Sequence, residues 1–94
     1  MTNSREEPFR VHIHAAPRSY LGRLDRQRQL EVRQRIEELR KDPFDRELSK
    51  PLHGRLQGLR SSRVGNLRIL FDVLREIRVV EITDIGPRGD IYKQ

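Results

Sequence analysis

Alternating apolar and polar positions open the chain, and this pattern predicts its first strand. Phe9, Val11 and Ile13 are separated by polar residues, so they share one side of an extended backbone. We therefore expect a strand with one buried face. A short helix is predicted next, because Pro17 suits the first turn of a helix and apolar residues follow it through Leu24.

The next segment has the period of a longer helix. Val32, Ile36 and Leu39 recur at i, i+4 and i+7 and share one side, while charged residues occupy the other sides. Asp25 is a candidate N-terminal cap, since its carboxylate can accept a hydrogen bond from the first backbone N–H groups. Pro43 ends the helix, because the residue before a proline disfavours helical backbone.

The remaining half of the chain predicts a loop and then three strands. Residues 42–56 contain prolines and a glycine without a usable period, which is typical of a loop. Strands are predicted over residues 56–62, 67–74 and 77–85. Gly65 and Asn66 suit the first connection, because both tolerate positive φ. Arg75-Glu76 leaves room only for a tight hairpin between the last two strands.

Together these elements predict an α+β fold. We expect an N-terminal strand, a two-helix hairpin and an antiparallel β-meander, with the helices packed on one face of the sheet. The other face is then left to meet a partner or a substrate. The length predicts a single domain over residues 1–94, of which residues 1–8 are expected to be flexible.

Composition narrows the class of protein. The chain is 34% hydrophobic and 36% charged, which is thin for a freestanding core of 94 residues, so a partner chain is expected. It has no cysteine, which excludes a disulfide framework and thiolate metal sites. Its longest apolar runs are four residues or fewer, so we expect no membrane span, no signal peptide and a cytoplasmic location.

Positive charge is concentrated in the second half of the chain. The net charge is +6, and residues 48–94 carry nine basic and five acidic side chains. No carboxylate occurs between Glu47 and Asp72. The cations in that interval are Lys50, Arg55, Arg60, Arg63 and Arg68. Such a cluster is typical of a surface that binds a polyanion such as RNA, the alternative being a solvated surface that keeps the protein soluble.

Three segments of the second half carry a resemblance to a known family. They are Leu48–Gly54, Arg63–Phe71 and Ile85–Tyr92, of which the last reads Ile-Gly-x-Arg-x-x-x-Tyr. In this order they resemble the RelE/ParE superfamily of type II toxin–antitoxin toxins, and the similarity extends from Phe9 to Tyr92. The resemblance implies a RelE-like fold and an endoribonuclease that cuts mRNA, in many members on the ribosome, and that a cognate antitoxin silences.

The same resemblance implies the catalytic residues. Arg68 matches the arginine of the central strand, Arg88 the arginine after the final strand, and Tyr92 the C-terminal tyrosine, and these positions are implicated in RNA cleavage by the RelE branch. Leu59 and Ser61 stand where the best-studied type has two lysines. A ParE-like DNA gyrase inhibitor, or a weakened relative that acts only by binding its antitoxin, is therefore the alternative function.

Elementary chemistry agrees with these assignments. Cleavage of RNA by its own 2′-hydroxyl needs a proton acceptor, a stabiliser of phosphate charge and a proton donor for the leaving oxygen. An arginine fork matches phosphate oxygens, and the Tyr92 hydroxyl can transfer a proton or its ring can stack on a base. Further RNA contacts are predicted at Lys50, His53, Arg55, Arg60, Ser61 and Arg63. Arg60 should project opposite to its neighbours if the strand is regular.

The histidines raise the question of a metal site. His12 and His14 point the same way on the first predicted strand, and His53 is the available third imidazole. No carboxylate or cysteine completes a zinc-binding set at a recognisable spacing. We therefore expect neither a metal nor another cofactor, and we expect the partners to be an antitoxin protein, mRNA and the ribosome.

Overall fold

The computed structural model describes residues 7–87, which form two helices and a five-stranded sheet. The strands are β1 (Arg10–Ile13), β2 (Lys50–Pro51), β3 (Arg60–Val64), β4 (Leu67–Leu74) and β5 (Val79–Pro87), and the helices are α1 (Ala15–Arg23) and α2 (Arg26–Lys41). The sheet order is β1-β5-β4-β3-β2, in which β1 and β5 are parallel and the other pairs antiparallel. The α+β fold with a helical hairpin is therefore confirmed.

Local sequence signals set the helices. Pro17 is buried in the first turn of α1, and the carboxylate of Asp25 caps α2 by accepting a hydrogen bond from the Arg28 backbone N–H at 2.8 Å. α2 ends before Pro43, as the sequence predicts. Its buried stripe consists of Val32, Ile36 and Leu39. Within residues 7–87, neither helix has the length and apolar character needed to cross a bilayer.

The core lies between the helices and one face of the sheet. On β4, Leu67, Ile69 and Phe71 point to this side and pack against the buried stripe of α2 and against β5. Because side chains alternate along a strand, Arg68 and Leu70 project from the other side. We call that other side the open face.

β2 and β3 differ from the prediction. Residues 42–56 were predicted as a loop, but Lys50 and Pro51 pair with Ser61 and Arg60. A two-residue edge strand that contains a proline has no readable period, so the pattern could not indicate it. β3 starts later than predicted and runs to Val64, which leaves a two-residue turn in which Gly65 has a φ of 60°.

The connection between β4 and β5 is also longer than predicted. It spans residues 75–78, not two residues, and β5 begins at Val79. Arg78 takes a φ of 54°, and its guanidinium lies 4.1 Å from the centre of the Phe9 ring. The Arg78 carbonyl accepts a hydrogen bond from the Arg10 backbone N–H at 2.9 Å. The parallel pairing of β5 with β1 therefore begins directly after this turn. The sequence did not indicate this pairing.

Candidate functional site

Three predicted RNA contacts and one predicted catalytic residue meet on the open face, where β2, β3 and β4 lie side by side. Lys50 pairs with Ser61, and Arg63 pairs with Arg68. Directly paired residues of antiparallel strands project to the same side, so these four side chains share the open face. They line a cavity of about 200 Å³ together with Arg46, Glu47, Leu48 and Ser49.

Arg68 and Arg63 place two guanidinium groups next to each other in this cavity. Arg68 is only 7% exposed, whereas Arg63 is exposed. Like charges directly across a strand pair repel each other, so the arrangement is relieved when an anion binds between them. On its other side Arg68 pairs with Gly86 of β5, which adds no side chain. The pair is therefore suited to hold a phosphate group at the sheet surface.

Ser61 presents a hydroxyl to the same cavity. The residue is 2% exposed, and among residues 7–87 its Oγ has no hydrogen-bond partner. A buried hydroxyl without a partner is rare in folded proteins and calls for a reason. A phosphate oxygen in the cavity would supply the missing partner.

Glu47 is a cavity residue that our sequence reasoning missed. It belongs to a tight turn in which the Asp45 carboxylate accepts a hydrogen bond from the Glu47 backbone N–H at 2.9 Å. The Asp45 carbonyl also accepts from the backbone N–H groups of Leu48, at 2.9 Å, and Ser49, at 3.0 Å. This turn carries a carboxylate to a wall that is otherwise cationic or neutral. An aspartate two residues before Glu47 was the available signal, since aspartates often bond their own backbone two residues on.

Arg60 lies on the other side of the sheet, as strand alternation predicts. Its guanidinium donates to Ser49 Oγ at 3.0 Å and lies 5.3 Å from the centre of the Phe44 ring. Burial lowers the pKa of Arg60, and Arg75 lowers it further while Asp42 raises it. Arg60 is therefore committed to packing and does not join the cavity, although we expected it among the RNA contacts.

The other predicted site residues are not in the cavity wall. His53 and Arg55 are exposed at the 3₁₀ turn Gly54–Leu56 and do not line it. Arg88 and Tyr92 lie outside the described residues 7–87. The described part of β5 does run beside Arg68, because Gly86 pairs with Arg68 two positions before Arg88 in the sequence.

Comparison with solved structures identifies the superfamily. No family model and no curated protein matches the chain. Among solved structures, the toxin–antitoxin complex RelBE2 from Mycobacterium tuberculosis matches at 27% identity over 86% of this chain and 99% of that one, with a TM-score of 0.77. The archaeal RelE–RelB complex from Pyrococcus horikoshii matches at 25% identity over 88% and 98%, with a TM-score of 0.73. The chain belongs to the RelE-like toxin superfamily.

A more distant structure supports the same fold. The isolated RelE toxin from Escherichia coli matches at 15% identity over 89% of this chain and 90% of that chain, with a TM-score of 0.72. The two proteins thus share the fold although their sequence identity is low. The resemblance stated from the sequence is confirmed.

The cavity also bears on the lysines that this RelE-like chain lacks on β3. Leu59 precedes β3, and Ser61 occupies it, so neither offers a cation. Lys50 of β2 is nevertheless the direct neighbour of Ser61. Its ammonium group is carried on the same face from the adjacent strand. The pairing of Lys50 with Ser61 could not be predicted from the sequence, because β2 was predicted as part of a loop.

A carboxylate lies beside the two histidines at the end of β1, of which His12 is on the strand and His14 directly follows it. His12 and His14 lie beside Glu81 of β5, and these three residues could hold a metal ion. His53 does not belong to the group. Our expectation that no carboxylate completes the set is therefore corrected, because the parallel pairing of β1 with β5 was not predicted.

Proposed function

We propose that the protein is the toxin of a type II toxin–antitoxin system and that its open face binds and cleaves mRNA. The observation that carries the proposal is the pairing of Arg63 with Arg68 beside Ser61 and Lys50 around one cavity. Four cations line the cavity, of which Lys50, Arg63 and Arg68 share the open face, and among residues 7–87 the Ser61 hydroxyl has no partner; together these groups suit a phosphate. A solvated surface would not bury an arginine to 7% exposure.

The reaction follows from the chemistry of RNA. The 2′-oxygen attacks the adjacent phosphorus, the bond to the 5′-oxygen breaks, and the products are a 2′,3′-cyclic phosphate and a 5′-hydroxyl. Negative charge grows on the phosphate oxygens in the transition state, and the Arg68 guanidinium stabilises it from a fixed position. Arg63 and Lys50 bind the flanking backbone.

Two residues are proposed to move protons. Glu47 supplies the carboxylate of the cavity wall and accepts the proton of the 2′-hydroxyl. Tyr92, which matches the tyrosine of the family motif, gives a proton to the leaving 5′-oxygen or stacks on a base. Arg88 remains a proposed second clamp on the phosphate.

The ribosome is proposed to complete the site. The cavity is small and shallow, and it presents few groups to orient a flexible single strand. Orientation by another scaffold can supply several kcal/mol of barrier reduction. We therefore propose that the toxin acts in the cytoplasm on mRNA held by the ribosome.

A cognate antitoxin is proposed as the protein partner. The two solved structures described above are the toxin–antitoxin complex RelBE2 and a RelE–RelB complex. The open face of this chain is basic around Lys50, Arg63 and Arg68, so an acidic segment of the antitoxin would neutralise it. Co-expression with the product of the adjacent gene should give a tight complex, and a toxin that ignores that product would contradict this part of the proposal.

Single-turnover cleavage of mRNA on programmed ribosomes tests the catalytic assignment. Glu47→Gln keeps the size of the side chain but removes the carboxylate, and we expect a loss of about a hundredfold or more in rate. Tyr92→Phe removes only the hydroxyl, and RNA binding measured in parallel separates proton transfer from stacking. Glu76→Gln, in the exposed turn before β5, is the matched control and should cleave like the wild type.

Two outcomes would overturn the proposal. Cleavage at wild-type rate by both Glu47→Gln and Tyr92→Phe would remove both proton-transfer assignments. DNA damage without cut transcripts on induced expression would replace the ribonuclease with the gyrase inhibitor. The site would then have to be sought elsewhere on the same fold.

A further inference from the structure

A cluster of two imidazoles and one carboxylate joins the parallel strands β1 and β5. His12 Nδ1 lies 3.5 Å from Glu81 Oε2, and His14 Nε2 lies 3.3 Å from the same oxygen. His12 and Glu81 are direct partners in the strand register. The cluster lies on β1, on His14 directly after it and on β5, whereas the cavity of Arg68 is lined from the segment 46–50 and from β3 and β4.

The spacing of the ligand atoms matches the requirements of a zinc ion. Ligands about 2.0–2.1 Å from a tetrahedral zinc ion stand roughly 3.3 Å apart. Both histidine nitrogens are at that distance from Glu81 Oε2, and all three ligand atoms lie within 4.8 Å of one another. The imidazoles are 59% and 42% exposed, so they can rotate the remaining distance toward each other and solvent can deliver the ion.

The backbone holds this cluster in place. The His14 N–H donates to the Ile82 carbonyl at 3.0 Å, and the His14 carbonyl accepts from the Arg18 N–H at 3.0 Å. His14 is also the N-terminal cap of α1, but its side chain makes no capping bond. Caps are usually Ser, Thr, Asp or Asn, because those side chains bond the first turn. Here the cap side chain turns to Glu81.

We propose that His12, His14 and Glu81 bind a divalent zinc ion that clasps β1 to β5. The two imidazoles and the carboxylate are ligand types that zinc prefers, and water occupies the fourth position. The ion would tie the edge strand to the strand beside it.

Metal titration of tag-free protein tests the site. Zn²⁺ is measured by calorimetry and Co²⁺ by its visible absorption, which reports four-coordinate geometry. We expect one equivalent to bind, and we expect His12→Ala, His14→Ala and Glu81→Gln each to weaken binding about tenfold or more. His53→Ala is the matched control, since it removes the remaining histidine of the chain and should leave binding unchanged.

Thermal unfolding gives a second, independent readout. Zn²⁺ at ten times its dissociation constant should raise the unfolding midpoint of the wild type by about 5 °C or more, and a variant without the cluster should not respond. Retained circular dichroism confirms that each variant is folded. Wild-type binding no tighter than that of the His12→Ala, His14→Ala double variant, or equal loss in His53→Ala, would reduce the cluster to an ion pair and overturn the proposal.

Discussion

Two neighbouring serines show how differently the two faces of the sheet are built. Ser61 and Ser62 are 2% and 1% exposed and follow each other on β3. On the helix side, Ser62 Oγ donates to the Leu48 carbonyl at 2.7 Å and accepts from Arg35 at 2.9 Å. On the open face, Ser61 Oγ has no hydrogen-bond partner among residues 7–87.

The difference separates stability from function. The helix side buries apolar residues and gives the buried Ser62 hydroxyl two hydrogen-bond partners, which is what a stable core requires. On the open face, among residues 7–87, the Ser61 hydroxyl has no hydrogen-bond partner and two arginines lie directly across a strand pair, and these arrangements cost free energy of folding. Such unfavourable arrangements are retained in a protein where a bound ligand compensates for them. Variants on the helix side should therefore affect folding, and variants on the open face should affect RNA cleavage.

The largest effect on stability is expected from removing the Phe71 side chain on the helix side. Phe71 is 0% exposed on β4, so Phe71→Ala should lower the free energy of unfolding by about 3–5 kcal/mol through lost burial and a cavity. Urea denaturation measures this. Leu30→Ala is the control, because Leu30 on α2 is 54% exposed and its loss should change stability by less than about 0.5 kcal/mol. Equal effects of the two variants would contradict the location of the core.

The next effect concerns Arg68 on the open face. Arg68→Lys retains the charge but loses the planar fork, so cleavage should fall about 10²–10³-fold. Substitution by alanine is less informative, because Arg68 is buried and its removal would also affect folding. Single-turnover cleavage and urea denaturation are measured together, and Arg33→Lys, exposed on α2, serves as control. Unchanged cleavage in Arg68→Lys would remove the fork from the mechanism.

The smallest effects should come from the serines themselves. Ser62→Ala leaves the Leu48 carbonyl and an Arg35 N–H without their partner, so it should destabilise by about 1–3 kcal/mol. Ser61→Ala removes a hydroxyl with no such partner, and should change stability by less than about 0.5 kcal/mol. We expect Ser61→Ala instead to weaken RNA binding. The reverse order of stabilities would show that the two faces were misassigned.

The sequence predicted the elements whose signals are local. α2 was found from its period, its Asp25 cap and Pro43, and β4 from its alternation. β2 and the parallel pairing of β1 with β5 depend on residues distant in the chain, and no local pattern reports such contacts. The α+β fold could be predicted nonetheless, because the order of elements restricts how they pack.

The site residues also divide into those that local signals predicted and those that depend on distant contacts. Lys50, Ser61, Arg63 and Arg68 were named from charge and family motif, and the structure brings them together. Glu47 was missed because its position depends on a turn in a segment without a period. Glu81 was missed as a companion of the histidines because strand register is set by the whole sheet. Arg88 and Tyr92 stay predictions.

The pairing of β1 with β5 has a consequence for how the chain matures during synthesis. Arg10 lies beside Val79, so the first strand meets its neighbour only after nearly all of residues 7–87 have been made. β5 also pairs with β4 along its whole length and supplies Val80, Ile82 and Ile85 to the core. Contacts between such distant segments form late and slow folding. A translation product that stops before β5 therefore lacks the strand that joins β1 to β4, and with it part of the hydrophobic core.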